Sequence, residues 1–261
     1  MNGTSEEKIE NILRNWKYLF EQLYKNEKSE SFRDIFREVY GEDYPEEINP
    51  DGFVTITDLE NIVNNLEVGP GDRFIDLGCG RGGPTLWIAR KTQADCVGID
   101  LSENAIRKAS QRVKEFGINS NVEFKAGNIS SLDFLDNSFD GAISIDVLSF
   151  LPELPKAISE IARILRNNSN FVFTTWERIS KTNPKIFRNL LLNSGFDIKI
   201  YMEISDWKSH QQRVYEKTLE RKKLLIKDMG REGAFAWIMD AKTYLPVLND
   251  LRRIFVVSTK K

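Results

Sequence analysis

Apolar residues along the chain recur at two spacings, and the alternation between them predicts the architecture. Short apolar runs predict strands at about 73–77, 96–100, 122–125, 140–145, 170–175, 197–202 and 254–258. Between these runs, apolar residues three and four positions apart predict helices at about 84–92, 103–117, 153–166 and 183–194. Strands that alternate with helices are typical of βαβ units. We therefore expect an α/β fold with a largely parallel sheet.

Two further regions lie outside this alternation. Upstream, helical periodicity predicts three helices at about 5–24, 30–40 and 56–66. Downstream, residues 203–248 form a charged, helical insert that is too long for a simple turn. We interpret residues 1–67 as an N-terminal helical cap and residues 68–202 with 249–261 as the ligand-binding core. The insert is interpreted as a lid over the substrate, because long excursions beside an active site are often lids.

Composition and charge exclude several classes of function. The chain has 261 residues, is 41% hydrophobic and carries a net charge of −2, so nothing indicates a nucleic-acid partner. No window approaches the ~18–20 apolar residues of a membrane helix, and the N-terminus does not resemble a signal peptide. The two cysteines, Cys79 and Cys96, fit loop and strand positions, so we expect a cytoplasmic protein. Separately, we expect a monomer or a homodimer. The sequence shows no metal-ligand cluster, so no metal is expected.

A glycine-rich loop follows the first predicted strand of the core. The chain there reads Asp76-Leu77-Gly78-Cys79-Gly80-Arg81-Gly82-Gly83, and a helix is predicted to begin directly afterwards. Glycine adopts positive φ and has no Cβ, so a ligand can lie on the backbone. The loop also aims the N-terminus of the next helix at that ligand. A strand, a glycine loop and a helix in this order indicate a site for a nucleotide-like molecule.

Asp76 favours one class of nucleotide over another. The spacing Gly78-x-Gly80-x-x-Gly83 also fits the dinucleotide-binding fingerprint. A carboxylate at the mouth of the loop would repel a pyrophosphate by roughly 1 kcal/mol or more at close range. It would attract S-adenosylmethionine (SAM), which carries an ammonium and a sulfonium and has no phosphate. We therefore predict SAM as the cofactor.

Two later strand ends supply polar groups for the rest of such a ligand. Asp100 ends the second predicted strand, where its carboxylate can accept both hydroxyls of a ribose. After the third strand, Asn128 can offer its amide oxygen to an adenine amino group. The backbone N–H of Ile129 is placed to serve a ring nitrogen.

Taken together, these segments resemble the class I SAM-dependent methyltransferases. The resemblance covers about residues 68–200 and rests on four segments: Ile75–Pro84, Val97–Ser102, Asn137–Asp140 and Ile161–Leu165. It implies a Rossmann-like, seven-stranded sheet whose last strand inserts antiparallel between its neighbours, with S-adenosylhomocysteine as the product. Besides Asp76, Asp100, Asn128 and Ile129, we assign these residues to the cofactor site: Gly78, Cys79, Gly80, Gly82, Leu101 and Ser144.

A narrower resemblance indicates the kind of substrate. The segments Tyr40–Pro45 and Phe53–Leu59, with Asp146–Phe150 and Thr175–Glu177, are similar to bacterial methyltransferases of specialised metabolism. This similarity implies a small-molecule acceptor that is methylated on O, N or C.

The chain departs from the family at residues 166–170, which read Arg-Asn-Asn-Ser-Asn where a glycine usually follows a proline. Asparagine tolerates left-handed backbone, so we expect the turn to form.

The chemistry of methyl transfer decides which catalytic groups are needed. The thioether leaving group is neutral and needs no acid, and a base is needed only if the nucleophile loses a proton. Asp146 and Glu177 follow predicted strands at the ligand-binding edge, and His210 is the only histidine. These three are our candidate catalytic residues. The alternatives are a solvated loop acid for Asp146, a surface salt bridge for Glu177 and a solvated helix face for His210.

Two rival functions stay open at the level of sequence. The first keeps the fold but uses NAD(P), as an oxidoreductase would, and Asp76 argues against it. The second is a scaffold protein that binds SAM without catalysis, which an intact glycine loop does not exclude.

Overall fold

A seven-stranded sheet forms the centre of the computed structural model, which describes residues 29–118, 121–179 and 186–261 together with Tyr18, Glu21 and Tyr24. The strands lie in the order β3-β2-β1-β4-β5-β7-β6. Their bounds are β1 Arg73–Leu77, β2 Asp95–Asp100, β3 Val122–Ala126, β4 Phe139–Ile145, β5 Leu165–Arg178, β6 Phe196–Glu203 and β7 Leu251–Lys260.

The direction of the strands confirms the predicted fold. Strands β1 to β5 pair in parallel, whereas β7 lies antiparallel between β5 and β6. The pairing of Val172 with Val257, and of Val257 with Ile200, places the last strand inside the sheet. The chain therefore has the Rossmann-like sheet of the class I methyltransferases.

Helices cover both faces of this sheet. Their bounds are α1 Glu30–Tyr40, α2 Ile56–Leu66, α3 Gly83–Thr92, α4 Glu103–Arg112, α5 Leu154–Ile164, α6 Ile186–Asn193, α7 Trp207–Glu220 and α8 Lys222–Tyr244. Short 3-10 turns occupy Gly41–Asp43, Val113–Phe116, Leu148–Phe150 and Leu245–Asp250.

Alternation along the strands divides the apolar residues between two cores. Ile75 and Leu77 face one core, in which α5 and α6 pack on the sheet. Phe74 points to the opposite core, which contains residues of α2 and α3. Because a parallel strand is covered on both faces, successive side chains must both be apolar. This explains the adjacent apolar residues Phe74 and Ile75 of β1, which run into the charged Asp76 at the ligand-binding edge.

A third core joins the two regions that lie outside the sheet. Phe32 and Phe36 of α1 pack against Trp237 of α8, with ring centroids 4.4 and 6.4 Å apart. Tyr215 of α7 belongs to the same cluster. The predicted cap and the predicted insert are therefore packed together over one part of the sheet edge. The helix predicted at 5–24 lies outside the described residues, except for Tyr18, Glu21 and Tyr24, which are helical.

The structure differs from the predicted elements in two details. The insert forms two helices, α7 and α8, and α8 is kinked at Gly230, where φ is 74°. Residues 166–170, expected to form a turn before the fifth strand, lie within β5 itself. The β4–β5 ladder shifts register there, between the pairs Phe139–Leu165 and Gly141–Asn170, and Asn168 has a φ of 68°. Asparagine accommodates this left-handed residue as expected, but in a bulge rather than a turn.

Candidate functional site

A cavity of about 410 Å³ opens beside the carboxyl ends of β1, β2 and β4. At this point the strand order reverses, because β1 lies between β2 and β4. Open α/β sheets bind their ligands at such a reversal. The sheet supplies one wall of the cavity, and the segment around residues 48–54 and helix α8 supply the other.

The glycine loop takes the form that its sequence predicts. Gly78, Gly80 and Gly82 all have positive φ, at 87°, 53° and 70°. The backbone N–H groups of Gly78 and Cys79 both donate to the carbonyl of Ile99, at 2.7 and 3.0 Å. The loop is thereby tied to β2, and its glycines turn the chain from β1 into α3.

The glycines of the loop have different roles. A Cβ on Gly78 would lie 2.4 Å from a methyl carbon of Val147, and one on Gly82 would lie 2.7 Å from the ring of Phe124. Gly80 lines the cavity, whereas Gly82 does not. Gly82 is thus required by packing against β3 and α4, and its predicted contact with the cofactor stays a prediction.

Asp76 is buried at the base of the cavity. Its carboxylate accepts a hydrogen bond from the hydroxyl of Thr85, at the start of α3. Burial raises its pKa to about 7, although the Thr85 hydrogen bond acts in the opposite direction. A buried carboxylate whose pKa is raised in this way is stabilised by any cation that binds beside it.

Asp100 connects the glycine loop to the second strand. One carboxylate oxygen accepts from the backbone N–H of Gly80 at 2.9 Å, and the other accepts from that of Ser102 at 2.9 Å. Burial raises the pKa of Asp100 to about 6, and these two backbone hydrogen bonds oppose the rise. Each oxygen keeps a second lone pair, and the residue lines the cavity. Ser102 caps α4, as predicted.

The remaining predicted contacts on this side also reach the cavity. Cys79, Leu101, Asn128 and Ile129 line it together with Asp76, Gly78, Gly80 and Asp100. The amide oxygen of Asn128 already accepts the N–H of Ser130 at 2.9 Å, so it also holds a turn. Ser144 does not line the cavity, because it is buried and donates to the carbonyl of Leu77 at 2.8 Å.

Asp146 lines the cavity but is held in a buried ion pair. Arg253 donates to its two carboxylate oxygens at 3.0 and 2.9 Å, and Thr174 donates at 2.9 Å. The same guanidinium donates to Asp58 at 2.8 Å. Asp58 in turn belongs to the capping box that begins α2 with Thr55. Arg253 thus joins α2, β4 and β7, and Asp146 is oriented by this network.

The other two candidate catalytic residues lie away from this cavity. Glu177 is buried, accepts from Arg252 at 2.9 Å and from the hydroxyl of Tyr201 at 2.8 Å, and lines a second cavity of about 350 Å³. His210 is half-buried on α7 and packs on the ring of Tyr40, with centroids 5.0 Å apart. His210 lines neither cavity. The structure therefore does not bring the three candidates together, and their catalytic roles stay predictions.

Several residues of the cavity were missed by sequence reasoning. Arg81 pairs with Asp51, and Arg112 donates to the carbonyls of Arg81 and Ile48 at 3.0 and 2.8 Å. These contacts fasten the 48–54 segment to the glycine loop. One face of α8 also lines the cavity, through Phe235, Ala236, Met239, Asp240 and Thr243. Their spacing of three and four is a helical signal that the sequence carried.

Two absences apply to the described residues. Across residues 29–118, 121–179 and 186–261, no three His, Cys, Asp or Glu side chains converge in the manner of a metal site. In the same parts of the chain, every helix is too short or too polar to serve as a membrane span.

Known proteins give the same picture of the core. A family model described as a methyltransferase domain matches residues 69–224, more than half of the chain. The sequence is 31% identical over 154 residues to 24-methylenesterol C-methyltransferase 2 of Arabidopsis thaliana, covering 56% of this chain and 43% of that protein. The chain spans less than half of the length of the curated relatives that it matches.

Solved structures share the fold at low sequence identity. The [4+2]-cyclase SpnF superposes with a TM-score of 0.68 at 21% identity, over 77% of this chain and 80% of that one. Phosphoethanolamine N-methyltransferase 2 of Haemonchus contortus, in complex with phosphomonomethylethanolamine and S-adenosylhomocysteine, gives a TM-score of 0.67 at 20% identity, over 87% and 56% of the two chains. These similarities establish the fold alone, since one fold hosts several reactions.

Proposed function

The chain belongs to the methyltransferase domain family, and from this premise we propose that it is an enzyme that transfers a methyl group from SAM to a small molecule. The observation that carries this proposal is Asp76. It is a buried carboxylate in a cavity at the glycine loop, with its pKa raised to about 7 by burial. A ligand with a positive charge is stabilised there, whereas a pyrophosphate is repelled.

The residues present fit SAM along the whole edge of the sheet. We assign its ammonium to Asp76, its ribose hydroxyls to Asp100 and its adenine to Asn128 and Ile129. These residues, with Gly78, Cys79, Gly80 and Leu101, form what we call the cofactor half of the cavity. The ends of β1, β2 and β3 supply them, which is the edge where open α/β sheets bind ligands.

The opposite wall is suited to the methyl acceptor. We define the acceptor half as the cavity wall formed by Phe53, Phe150, Trp176 and the α8 residues from Phe235 to Tyr244. Its side chains are mainly aromatic, so we propose an acceptor with a large apolar part. This wall belongs to the helical insert and its surroundings, and we propose that residues 203–248 cover the bound acceptor as a lid.

The chain's own residues act by positioning. Bound SAM supplies an electrophilic methyl group. The cofactor half fixes one reactant, and the acceptor half holds the other and excludes water. Holding two reactants in line is worth up to ~7–11 kcal/mol in favourable cases. Arg253 orients Asp146, which lines the same cavity, so we propose that Asp146 accepts a hydrogen bond from one of the two reactants.

Mass spectrometry tests the proposal directly. The protein is incubated with methyl-labelled SAM and extracts of small metabolites, and the products are searched for the label. We expect label in a small molecule, together with S-adenosylhomocysteine in equal amount. A scaffold that binds SAM without catalysis would give neither product, and an NAD(P)-dependent oxidoreductase would consume a nicotinamide cofactor instead.

The acceptor is proposed to be a specialised metabolite in the cytoplasm, methylated on O, N or C by a monomer or homodimer.

A further inference from the structure

The two cavities meet at a small group of residues. Phe53, Phe150, Leu151, Trp176, Asp240 and Tyr244 line both of them. Asp240 is the only acid in this group. Its carboxylate lies on α8 and lines both cavities, so a molecule that occupies both of them would pass beside it.

Asp240 stands at the end of a directed chain of hydrogen bonds. The indole N–H of Trp176 donates to the amide oxygen of Gln211 at 3.0 Å. The amide nitrogen of Gln211 donates to the hydroxyl of Tyr215 at 2.7 Å. That hydroxyl donates to one oxygen of Asp240 at 2.8 Å. Because an indole can only donate, the direction of the whole chain is fixed, and it ends on a carboxylate oxygen that accepts.

Three other acids pair with an arginine, whereas among the described residues Asp240 pairs with none. Arg253 pairs with Asp58 and Asp146, and Arg252 pairs with Glu177. Within the described residues, the contact of the Asp240 carboxylate is the Tyr215 hydroxyl, and no lysine or arginine forms an ion pair with it. Burial raises the pKa of Asp240 to about 6, opposed by that hydrogen bond. Asp76 shows the same pattern, and there the missing cation is assigned to SAM.

We propose that Asp240 binds a basic nitrogen of the methyl acceptor, so that the substrate is an amine with a largely apolar body. This inference rests on the proposed methyltransferase function and names its class of substrate. The aromatic rings of Phe53, Trp176 and Tyr244 share this place with Asp240, and such rings attract a cation by their quadrupole. A carboxylate surrounded by aromatic rings is a common arrangement for an ammonium group.

The second cavity receives the apolar body of that amine. Leu148, Leu154, Phe187 and Leu251 contribute to its wall. Its buried acid, Glu177, is already neutralised by Arg252. Apart from Glu177, Asp240 is the acid among the described residues that line the second cavity, so the charged end of the substrate is expected at Asp240.

Matched pairs of small probes test this inference. Binding of 2-phenylethylamine and 2-phenylethanol, and of octylamine and 1-octanol, is measured by calorimetry on the protein saturated with S-adenosylhomocysteine. Within each pair the skeleton is the same and only the charge differs. For at least one pair, we expect the amine to bind about tenfold more tightly than the alcohol. In Asp240→Asn, which keeps the shape and removes the charge, we expect this preference to fall below about twofold.

Two control variants separate charge at Asp240 from other effects. Glu216→Gln removes a negative charge from an exposed site on α7, and it should keep the full preference for the amine. Tyr215→Phe removes the hydroxyl that donates to Asp240 and should weaken the preference without abolishing it. If Asp240→Asn does not fold, Asp240→Ala takes its place.

The outcomes distinguish this inference from the proposed function. Binding of S-adenosylhomocysteine itself reports on the proposed function and should change by less than about twofold in Asp240→Asn, since the cofactor half is untouched. If the wild-type protein does not bind S-adenosylhomocysteine, the proposed function is overturned. The inference is overturned if the wild-type protein binds S-adenosylhomocysteine normally but shows no preference for an amine. It is overturned in the same way if neither amine binds detectably. A preference that survives in Asp240→Asn overturns it as well.

Discussion

Among the described residues, the cofactor half and the acceptor half of the cavity each contain an acid that no arginine pairs with, the buried Asp76 and the partly buried Asp240, yet the two sites are built in different ways. Asp76 is the penultimate residue of β1, and the glycine loop that completes its site begins at Gly78. Asp240 lies on a helix, and its surroundings come from α7, β5 and the segment around Phe53. The first site is assembled by neighbours in sequence and the second by tertiary packing. Local sequence therefore identifies the cofactor, whereas the acceptor emerges only from the folded chain.

The largest effect expected is on stability, at the arginine that joins α2, β4 and β7. Arg253→Met leaves Asp58 and Asp146 buried without their cation, so we expect the free energy of unfolding to fall by about 3–5 kcal/mol. Chemical denaturation measures this change. Arg252→Met is the matched comparison, because the Arg252 side chain is 21% exposed against 3% for Arg253, while its partner Glu177 is as buried as the partners of Arg253. Equal losses in the two variants would show that the network around Arg253 is not the special source of stability described here.

The next largest effect is expected on the affinity for SAM, the ligand assigned to the cofactor half. Asp76→Asn removes the charge that faces the SAM ammonium, and we expect the affinity for SAM to fall by about 100-fold, which is the upper range for a hydrogen bond to a charged group. Equilibrium dialysis with labelled SAM measures it. Asp133→Asn, at an exposed position outside both cavities, controls for loss of a negative charge. If Asp76→Asn binds SAM within a few-fold of the wild-type affinity, the charge of Asp76 does not hold the ammonium of SAM. The comparison between Asp76 and Asp240 then fails.

The protons released when SAM binds give a second test of the assignment of its ammonium to Asp76. Asp76 has a pKa of about 7 in the free protein, so it is mainly protonated near pH 6. A bound ammonium lowers that pKa, and binding must then release protons. We expect about one proton to be released near pH 6, with Asp100, whose pKa is about 6, adding to the release in the same direction. Calorimetry in buffers of different ionisation enthalpy measures this number.

Asp76→Asn serves as the control for this titration. The variant should release less than about half as many protons as the wild type, because only Asp100 still titrates. The release should also fade as the pH rises above the pKa of Asp76, since the carboxylate is then already ionised. Proton uptake, or a release that is the same in both proteins, contradicts the assignment of the ammonium to Asp76.

The smallest effect is expected at His210. This residue packs on Tyr40 and lines neither cavity, so His210→Ala should keep the rate of S-adenosylhomocysteine formation within about twofold of wild type. A loss of more than about 100-fold would instead support a general base. Such a result would place the acceptor on the α7 side of the insert and contradict the acceptor half as defined above.

Much of the fold was predictable because it depends on local patterns. The seven-stranded sheet, the antiparallel β7 and the helix starts at Ser102 and after the glycine loop follow from periodicity, capping and the family resemblance. In the cofactor half, Asp76 and Asp100 were found because each ends a strand. The prediction of a turn at residues 166–170 was wrong, because pairing with β4 extends β5 through a bulge there.

The contacts that the sequence did not reveal join distant parts of the chain. Arg253 is 107 residues from Asp146 and 195 residues from Asp58. Asp240 was missed because its helix reads simply as amphipathic, and its hydrogen-bond partner on α7 is 25 residues away. Glu177 and Asp146 attracted attention as acids after strands, and the structure shows each of them paired with an arginine from β7. Local patterns give the position of an acid but do not reveal its partner.

The central claim is that the charge of Asp76 selects a cationic nucleotide, and one titration tests it most directly. Calorimetry of the wild-type protein with SAM and, separately, with NAD compares the two ligands at the same site. We predict saturable binding of SAM with release of protons near pH 6, and no detectable binding of NAD. Tight binding of NAD with no response to SAM would contradict the account.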